Sequence, residues 1–270
     1  MYGNGALVQK TKQVGVGAQT KMAIEMADAH CHADMLTHEA IKEAVAFGVR
    51  TIITNGTSTK SNFKSIDIAD RKNVFPALGI SPDNAVSITE EELNFNIGMI
   101  KANADTISAI GEIGLDAKVP GGEIGFARQR HVFGLFLDLA VELGLPVSVH
   151  SRGTMKEVID TLEEKKIERV HIHYFEGDEN DAKRIAGHGW FVSVPPINSS
   201  KRERAIKVIP LAQLMAESDA PAIGSSPKDV EMSVRIIAGA KGVDFARAAE
   251  MVRENTKTFF NLRPKTILRL

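Results

Sequence analysis

Two histidines near the start of the chain have the spacing of a pair of metal ligands. They lie in Asp28-Ala-His-Cys-His32, which follows an apolar run beginning at Met22. Side chains on a strand alternate between its faces, so His30 and His32 point the same way, about 6–7 Å apart. Two imidazoles on one face can bind one metal ion. The pair alone is weak evidence, because any strand that carries histidines can show this spacing by chance.

Later predicted strands end in the residue types that would complete a metal site. The predicted ligands are His30, His32 and Asp219 for one ion, His150 and His173 for another, and Glu112 between the two. Imidazole and carboxylate ligands suit borderline divalent ions, and a carboxylate can bridge two of them. The sequence therefore predicts two divalent ions and leaves their identity open among Zn²⁺, Mn²⁺ and Mg²⁺.

A centre of this kind is suited to hydrolysis. Paired metals about 3.5–4 Å apart can activate a water and stabilise a phosphoryl transition state. Asp219 is placed to accept the proton of the attacking water as a general base. The candidate catalytic residues are therefore Asp219 and the bridging Glu112. A non-catalytic metal-binding barrel is a further hypothesis, and the complete ligand set argues against it.

Short β-rich runs alternate with helical patterns along most of the chain. The predicted strands cover 24–30, 50–54, 74–80, 107–113, 146–150, 170–174, 190–194 and 211–217. The predicted helices cover 37–47, 58–71, 89–103, 125–143, 154–165, 178–187, 200–208, 227–239 and 244–260. Such alternation builds right-handed βαβ units, and eight units in this length predict a closed (β/α)8 TIM barrel of the metal-dependent hydrolase type. A doubly wound open sheet is the alternative, but no Gly-x-Gly-x-x-Gly turn follows the first strand.

Barrel enzymes carry their chemistry at the C-terminal ends of strands, where the predicted ligands lie. Behind them, His171 shares a face with His173 but lies one layer deeper, which is typical of a core or supporting group. Asp34 and Asp116 are candidates for hydrogen bonds to ligating histidines, with turn formation as the alternative for both. Asp28 is expected to orient the first strand rather than to bind metal.

Composition excludes several other classes of protein. The net charge of −1 gives no global basic field, so any contact with nucleic acid must be local. The single cysteine, Cys31, excludes an intrachain disulfide framework and fits a reducing cytoplasmic location. No apolar run approaches the roughly 20 residues that span a bilayer, so no membrane contact is expected. No obligate protein partner is inferred.

The chain divides into a short leader and one domain. Gly, Gln, Lys and Thr interrupt residues 1–21, so this stretch lacks the apolar region of a secretory signal. We interpret 1–21 as an N-terminal arm or tag-like extension and 22–270 as a single TIM-barrel hydrolase domain. Alternatively, the functional chain starts at Met22 or Met26.

The strand-end motifs, taken in order, resemble the TatD family, the metal-dependent deoxyribonuclease branch of the amidohydrolase superfamily. They are Asp28-Ala-His-Cys-His32, Gly111-Glu-Ile-Gly-Leu-Asp116, Leu145-Pro-Val-Ser-Val-His-Ser-Arg152, His173-Tyr-Phe-Glu-Gly177 and Glu217-Ser-Asp-Ala-Pro221. By this resemblance the six predicted ligands match the family's metal-binding positions. The resemblance implies hydrolysis of phosphodiester bonds, often as a 3′-to-5′ exonuclease, with DNA or another phosphodiester as substrate. Some relatives act on aminoacyl-tRNA, so an ester or amide hydrolase is the alternative.

Three departures from the family pattern lie around the predicted metals. Gly79-Ile-Ser-Pro82 stands where the family commonly has Gly-x-His-Pro, and Ser81 could hydrogen-bond a phosphate instead. Tyr174-Phe-Glu-Gly177 replaces Cys-Phe-Ser/Thr-Gly, and the loop after Pro221 is shorter than in many members. Arg152, just beyond the fifth strand, could bind a phosphate. Ser81 and Arg152 are therefore the predicted substrate contacts, and the sequence indicates hydrolysis more firmly than it indicates DNA.

Overall fold

Runs of branched apolar residues form the strands of the fold. The computed structural model describes residues 24–262. The strands are β1 Met26–Cys31, β2 Val49–Asn55, β3 Val74–Leu78, β4 Ala109–Asp116, β5 Val147–Arg152, β6 Val170–Ile172, β7 Phe191–Val194 and β8 Leu214–Ala216. Almost every strand residue is buried, as expected for strands covered on both faces. The predicted arm, 1–21, lies outside the described residues.

Helices follow the strands and cover the outside of the sheet. They are α1 His38–Phe47, α2 Thr59–Ile68, α3 Pro82–Ala85, α4 Glu90–Ala102, α5 Gly122–Leu143, α6 Met155–Glu164, α7 Glu179–Gly187, α8 Ser200–Val208, α9 Val230–Lys241 and α10 Phe245–Phe259. The predicted capping box of α4 forms, because Thr89 and Glu92 each accept the other's backbone N–H. Within residues 24–262, every helix is too short or too polar to cross a bilayer.

Two local differences from the predicted elements have clear causes. The short α3 was not predicted; it begins at Pro82, a residue suited to the first turn of a helix. The last predicted strand is shorter than expected, since Leu211–Gln213 forms a turn of 3-10 helix after Pro210 and leaves only three residues in β8.

The eight strands form one parallel sheet in sequential order from β1 to β8. The two ends of the sheet meet just beyond β1 and β8. There the Asp219 N–H donates to the His30 carbonyl at 3.0 Å, and the His32 N–H donates to the Ala220 carbonyl at 2.7 Å. The predicted (β/α)8 barrel is confirmed, and the sequential strand order excludes the doubly wound alternative.

The core has two parts. A large cluster fills the space between the sheet and the helices, and includes Ile52, Leu78 and Phe136. A smaller cluster lies on the opposite strand faces, inside the barrel, where small residues such as Ala77 and Ala109 meet Phe259 and Phe260 from the end of α10. The lower barrel interior is therefore apolar, and the space above it is available for polar side chains.

One amide joins α2 to the end of β3. The Asn62 side chain donates to the Gly79 carbonyl at 3.0 Å and accepts from the Gly79 N–H at 3.1 Å. It also donates to the Asn96 side-chain oxygen at 2.9 Å, and all of these groups are buried. This amide therefore satisfies a backbone segment that has left the sheet.

We expect Asn62→Ala to lower the free energy of unfolding by about 2–4 kcal/mol, because it leaves buried backbone groups without partners. Urea denaturation monitored by circular dichroism measures this change. The control is Asn94→Ala, which removes an exposed amide from α4 and should change stability by less than about 0.5 kcal/mol. Equal stability of the two variants would contradict the role assigned to Asn62.

Candidate metal centre

The barrel brings all six predicted ligands together at the C-terminal ends of its strands. They come from β1 and the residue after it (His30, His32), β4 (Glu112), β5 (His150), and the segments following β6 (His173) and β8 (Asp219). Five of the six are less than a tenth exposed, and only His150 is more open. Their assignment as metal ligands remains a prediction.

A bulge in β4 turns Glu112 into the barrel. Ile110 pairs with Val147 and Ile113 pairs with Val149, so between these two pairs β4 contains one residue more than β5. Strict alternation from Ile110, which packs in the outer cluster, would direct Glu112 toward the helices. The extra residue reverses this direction. Gly111 makes the bulge possible, since a Cβ there would lie 2.6 Å from the Ser148 carbonyl oxygen.

The two carboxylate oxygens of Glu112 face two different pairs of imidazoles. Oε2 lies 3.5 Å from His30 Nε2 and 3.5 Å from His32 Nε2. Oε1 lies 3.0 Å from His150 Nδ1 and 3.5 Å from His173 Nε2. This arrangement is the one expected of a carboxylate that bridges two ions.

Asp219 completes the first group. Its Oδ1 lies 3.4 Å from His32 Nε2 and 3.9 Å from His30 Nε2. Ligand atoms on a tetrahedral zinc ion with bonds of about 2.0–2.1 Å are about 3.3–3.4 Å apart. The ring nitrogens and Asp219 oxygen are thus close to the spacing of ligands on one ion. Glu112, His150 and His173 form a second such group.

Glu217 also lies within ligand distance of His30 and His173. Its two oxygens, however, already accept hydrogen bonds, from the Tyr174 N–H at 2.8 Å and from the Ser193 hydroxyl at 2.6 Å. We therefore interpret Glu217 as a group behind the ligands rather than as a ligand.

Two atoms in the first group lack hydrogen-bond partners among residues 24–262. They are His30 Nε2 and Asp219 Oδ1, both buried and both facing the same space. Burial of unpaired polar atoms is costly, so such atoms call for a bound partner. A divalent ion would satisfy both, and the nitrogen and oxygen donors around it suit such an ion. The residues present therefore fit divalent metal binding.

The charge balance of the site points the same way. Although burial opposes ionisation, the neighbouring histidines hold the pKa of Glu112 well below its usual range, and they also lower the pKa of Asp219. Burial likewise opposes charge on His32, yet the neighbouring Asp219 and Glu112 carboxylates raise its pKa to about 9. Two ionised carboxylates in a buried site need positive charge, which protons on imidazoles or metal ions can supply.

The other two ring environments differ. Burial lowers the pKa of His30 to about 3, and the nearby His173 ring adds to this effect. Against the effect of burial, hydrogen bonds to Asp116 and Glu112 raise the pKa of His150 to about 10. His30 is therefore a neutral donor of a ring lone pair, whereas His150 carries a proton that an incoming cation would displace.

The predicted supporting residues divide into two groups. Asp116 accepts from His150 Nε2 at 3.2 Å, so the expected hydrogen bond to a histidine is present, and His150 as a metal ligand stays a prediction. Asp34 accepts from the Ser61 hydroxyl at 2.8 Å and has no histidine partner in the described part of the chain. Asp28 accepts from the Ser218 N–H at 2.9 Å and from the Ser218 hydroxyl, contacts that fit the expected role in orienting β1.

The two predicted substrate contacts have different surroundings. Arg152 is exposed, has no ion-pair partner in residues 24–262, and lines a cavity of about 330 Å³ together with His150 and Asp219. Ser81 is 3% exposed, and its hydroxyl donates to Asp83 and accepts from Asn84. The geometry therefore favours Arg152, and contact between Ser81 and substrate stays a prediction.

Sequence reasoning assigned no role to Glu217, Ser148 or Ser193. A signal was present for two of them, since Ser148 and Glu217 stand two positions before His150 and Asp219, as His171 stands two before His173. A spacing of two keeps a side chain on the same strand face, one layer deeper. These residues are therefore positioned directly beneath the ligands.

Comparisons with known proteins place this chain in a family. The model of a family described as TatD related DNase matches residues 27–261. The chain belongs to the TatD related DNase family. The prediction of a metal-dependent, nuclease-like hydrolase is thereby confirmed, and the family match spans nearly all of the described barrel.

Individual relatives agree with this assignment. Human deoxyribonuclease TATDN3 is 28% identical over 260 residues, covering 88% of this chain and 95% of that protein. An uncharacterized metal-dependent hydrolase, MJ1582 of Methanocaldococcus jannaschii, is 28% identical over 257 residues, covering 89% and 98%. The crystal structure of YJJV, a TatD homolog from Escherichia coli K12, has a TM-score of 0.80 at 26% identity, covering 89% of this chain and 99% of that one.

We expect purified, chelator-treated protein to take up two divalent ions per chain and Glu112→Gln to bind fewer, because both ligand groups share the Glu112 carboxylate. Elemental analysis after dialysis against Zn²⁺ or Mn²⁺ measures this number. Each ion present at 100 times its dissociation constant should also stabilise the wild-type fold by about 2.7 kcal/mol. Asp105→Asn, which changes an exposed carboxylate in a turn, is the control. Equal metal content in Glu112→Gln and wild type would contradict the bridging role.

Proposed function

We propose that this chain is a divalent-metal-dependent phosphodiesterase that hydrolyses DNA, with a 3′-to-5′ exonuclease as the form we favour. One observation carries the proposal: the two oxygens of Glu112 face two separate groups of ring nitrogens. Bound divalent ions supply Lewis acidity that lowers the pKa of an attacking water and offsets negative charge on a phosphoryl group. The membership of the chain in a DNase family supports the choice of substrate.

The residues of the chain would divide the reaction between them. Water oxygen bonds to phosphorus, the bond from phosphorus to one sugar oxygen breaks, and the leaving oxygen takes up a proton from solvent. The Asp219 carboxylate accepts a proton from the attacking water. Glu112, which is buried between the two ligand groups, would keep them together. Arg152, at the open side, would bind a phosphoryl oxygen through its guanidinium.

The space beside the ligands supports a substrate longer than one phosphate. The cavity of about 330 Å³ that contains Arg152 shares Ser151 and Glu176 with a neighbouring cavity of about 420 Å³. The neighbouring cavity is lined by Lys201 and Arg202, whose side chains donate to backbone carbonyls and have no carboxylate partner among the described residues. Glu176 and Asp181 line the same cavity, so Lys201 and Arg202 offer a polyanion separate points of positive charge rather than a positive surface.

A screen of metal-supplemented protein tests the proposed substrate class. We expect release of mononucleotides from single-stranded DNA, stimulated by Mn²⁺ or Mg²⁺. RNA, aminoacyl-tRNA, bis-p-nitrophenyl phosphate and small carboxylic esters serve as comparison substrates. Turnover of aminoacyl-tRNA or esters alone would favour the second enzyme hypothesis, an ester or amide hydrolase. Metal-replete protein that hydrolyses none of the phosphodiesters would overturn the proposal. A cytoplasmic location remains a prediction.

For the general base, we expect Asp219→Asn to lower kcat by about 10²–10⁴-fold, the range typical of a lost general base. Asparagine is chosen because Asp219 has φ 47°, a left-handed backbone that asparagine tolerates better than alanine does. Asp105→Asn should retain wild-type turnover. Thermal unfolding checks that both variants are folded, and a folded Asp219→Asn protein with normal kcat would refute the role.

For substrate binding, we expect Arg152→Gln to raise KM for an oligonucleotide about tenfold, as for the loss of one charge-assisted hydrogen bond of about 1.5 kcal/mol. The salt dependence of binding should also weaken by about one unit of slope. Arg247→Gln is the control, since Arg247 borders a cavity with Ile24 and Glu25 near the start of β1, at the other end of the barrel. Unchanged KM and salt slope in Arg152→Gln would exclude a phosphate contact.

A further inference from the structure

A buried chain of hydrogen bonds runs beneath the proposed metal centre from Glu217 to His30. The Ser193 hydroxyl lies 2.6 Å from Glu217 Oε2 and 2.7 Å from His171 Nε2. The Ser148 hydroxyl lies 3.1 Å from His171 Nδ1 and 3.4 Å from His30 Nδ1. All five side chains are fully buried. The chain therefore joins β8, β7, β6, β5 and β1 through the barrel interior.

The direction of each bond follows from the number of protons available. Burial raises the pKa of Glu217, but its two oxygens face the Tyr174 N–H and the Ser193 hydroxyl, and as a carboxylate it accepts from both. Ser193 then uses its only hydroxyl proton in the bond to Glu217 and accepts from His171 Nε2. A doubly protonated His171 would be a buried cation without a counter-charge, because within residues 24–262 no carboxylate lies at ion-pair distance from it. His171 is therefore neutral, carries its proton on Nε2, and accepts at Nδ1 from the Ser148 hydroxyl.

The same count reaches His30. Because Ser148 donates its only proton to His171, its oxygen accepts from His30 Nδ1. His30 then carries its proton on Nδ1 and leaves Nε2 with a free lone pair. That nitrogen lies 3.5 Å from Glu112 Oε2 and has no hydrogen-bond partner in the described part of the chain. This is the tautomer that a ligand at Nε2 requires.

We propose that His171 is a positioning residue that holds His30 in the tautomer that presents Nε2 to a metal ion. It does so through hydrogen bonds to Ser193 and Ser148, which link the Glu217 carboxylate to His30. The inference rests on the metal centre of the proposed function and does not depend on whether the substrate is DNA. Without these hydrogen bonds, either nitrogen of the neutral His30 ring can carry the proton, and a proton on Nε2 would block metal ligation.

The surroundings of Glu217 make it a fixed end for this chain. Its second oxygen accepts from the Tyr174 N–H at 2.8 Å, and its backbone carbonyl accepts from the Ser233 hydroxyl at 2.6 Å. Its carboxylate also lies 3.8 Å from His173 Nδ1, on the side of that ring away from Glu112. The Glu217 carboxylate therefore lies beside the ring of His173, and the chain of hydrogen bonds links it to His30.

The first test removes one oxygen atom. Ser148→Ala removes the hydroxyl that joins His171 to His30 and so interrupts the chain of hydrogen bonds. Ser65→Ala is the matched control, because Ser65 is fully buried on α2 without a hydrogen-bond partner among residues 24–262. Zn²⁺ affinity is measured by competition with a chelator. We expect Ser148→Ala to bind one of the ions about 10–100-fold more weakly, the usual effect of losing a group that orients a ligand. Ser65→Ala should match wild type.

The second test asks whether the effect follows hydrogen bonding rather than packing. In His171→Gln the amide oxygen can accept from Ser148 and the amide N–H can donate to Ser193, whereas His171→Leu can do neither. We expect His171→Gln to keep Zn²⁺ affinity close to that of wild type and His171→Leu to resemble Ser148→Ala. If His171→Leu does not fold, Ser148→Ala decides the question, since it leaves the packing of the core nearly unchanged.

The third measurement reads the tautomer itself. Long-range proton–nitrogen NMR spectra of ¹⁵N-histidine-labelled, metal-free protein should show the proton of His30 on Nδ1 in wild type and a different or mixed tautomer in Ser148→Ala. Wild-type His30 protonated on Nε2, or folded Ser148→Ala with unchanged tautomer and Zn²⁺ affinity, would overturn the proposal. If His30 has the expected tautomer but wild type binds no ion, the metal centre fails while the positioning by His171 stands.

Discussion

The structure depends on one contact between its first and last strands. Asp28 and Ser218 are 190 residues apart, yet the Asp28 carboxylate accepts both the backbone N–H and the hydroxyl of Ser218. The backbone bonds of His30 and His32 to Asp219 and Ala220 lie immediately beside this contact. The contacts that close the barrel thus also bring the first group of candidate ligands together, because the residues that close the sheet are these candidate ligands or their neighbours. A carboxylate with three N–H and O–H donors also avoids the cost of a bare buried acid.

The barrel interior is organised in layers that explain how a polar site coexists with a stable core. Small apolar residues and Phe259 occupy the lower layer. Ser148, His171 and Ser193 form a middle layer in which each polar group has a partner. The ligands lie above, where His30 Nε2 has none. Within the barrel, buried polar groups thus have fewer hydrogen-bond partners toward the mouth. A bound cation would therefore be most favourable at that end. Unpaired polar atoms deeper in the core would lower stability without serving a ligand.

The sequence predicts the fold, and the strand ends at which the candidate ligands lie, because both depend on local spacing. Alternating strands and helices specify the barrel, and the C-terminal ends of parallel strands specify where His150 and His173 lie. Three features depend instead on contacts that this spacing does not specify. The bulge that turns Glu112 inward is a difference in register between β4 and β5. The chain from Glu217 to His30 requires the relative heights of five strands. The partners of Ser81 depend on the turn it shares with Asp83 and Asn84.

The choice of substrate depends on the surroundings of the metal centre more than on its ligands. Six ligands of this type would serve hydrolysis of many esters, because the charge they offset develops on any phosphoryl or acyl oxygen. What distinguishes a polyanion is positive charge beyond the reacting group. The chain provides this charge sparingly: its net charge is −1, while Arg152 and Lys201 stand beside the two connected cavities. Glu176 and Asp181 line the same space and oppose indiscriminate attraction of anions. The site would therefore favour a nucleic acid whose phosphates lie near these cations and away from these carboxylates. The positions of the charges, rather than their sum, would decide which polyanion binds.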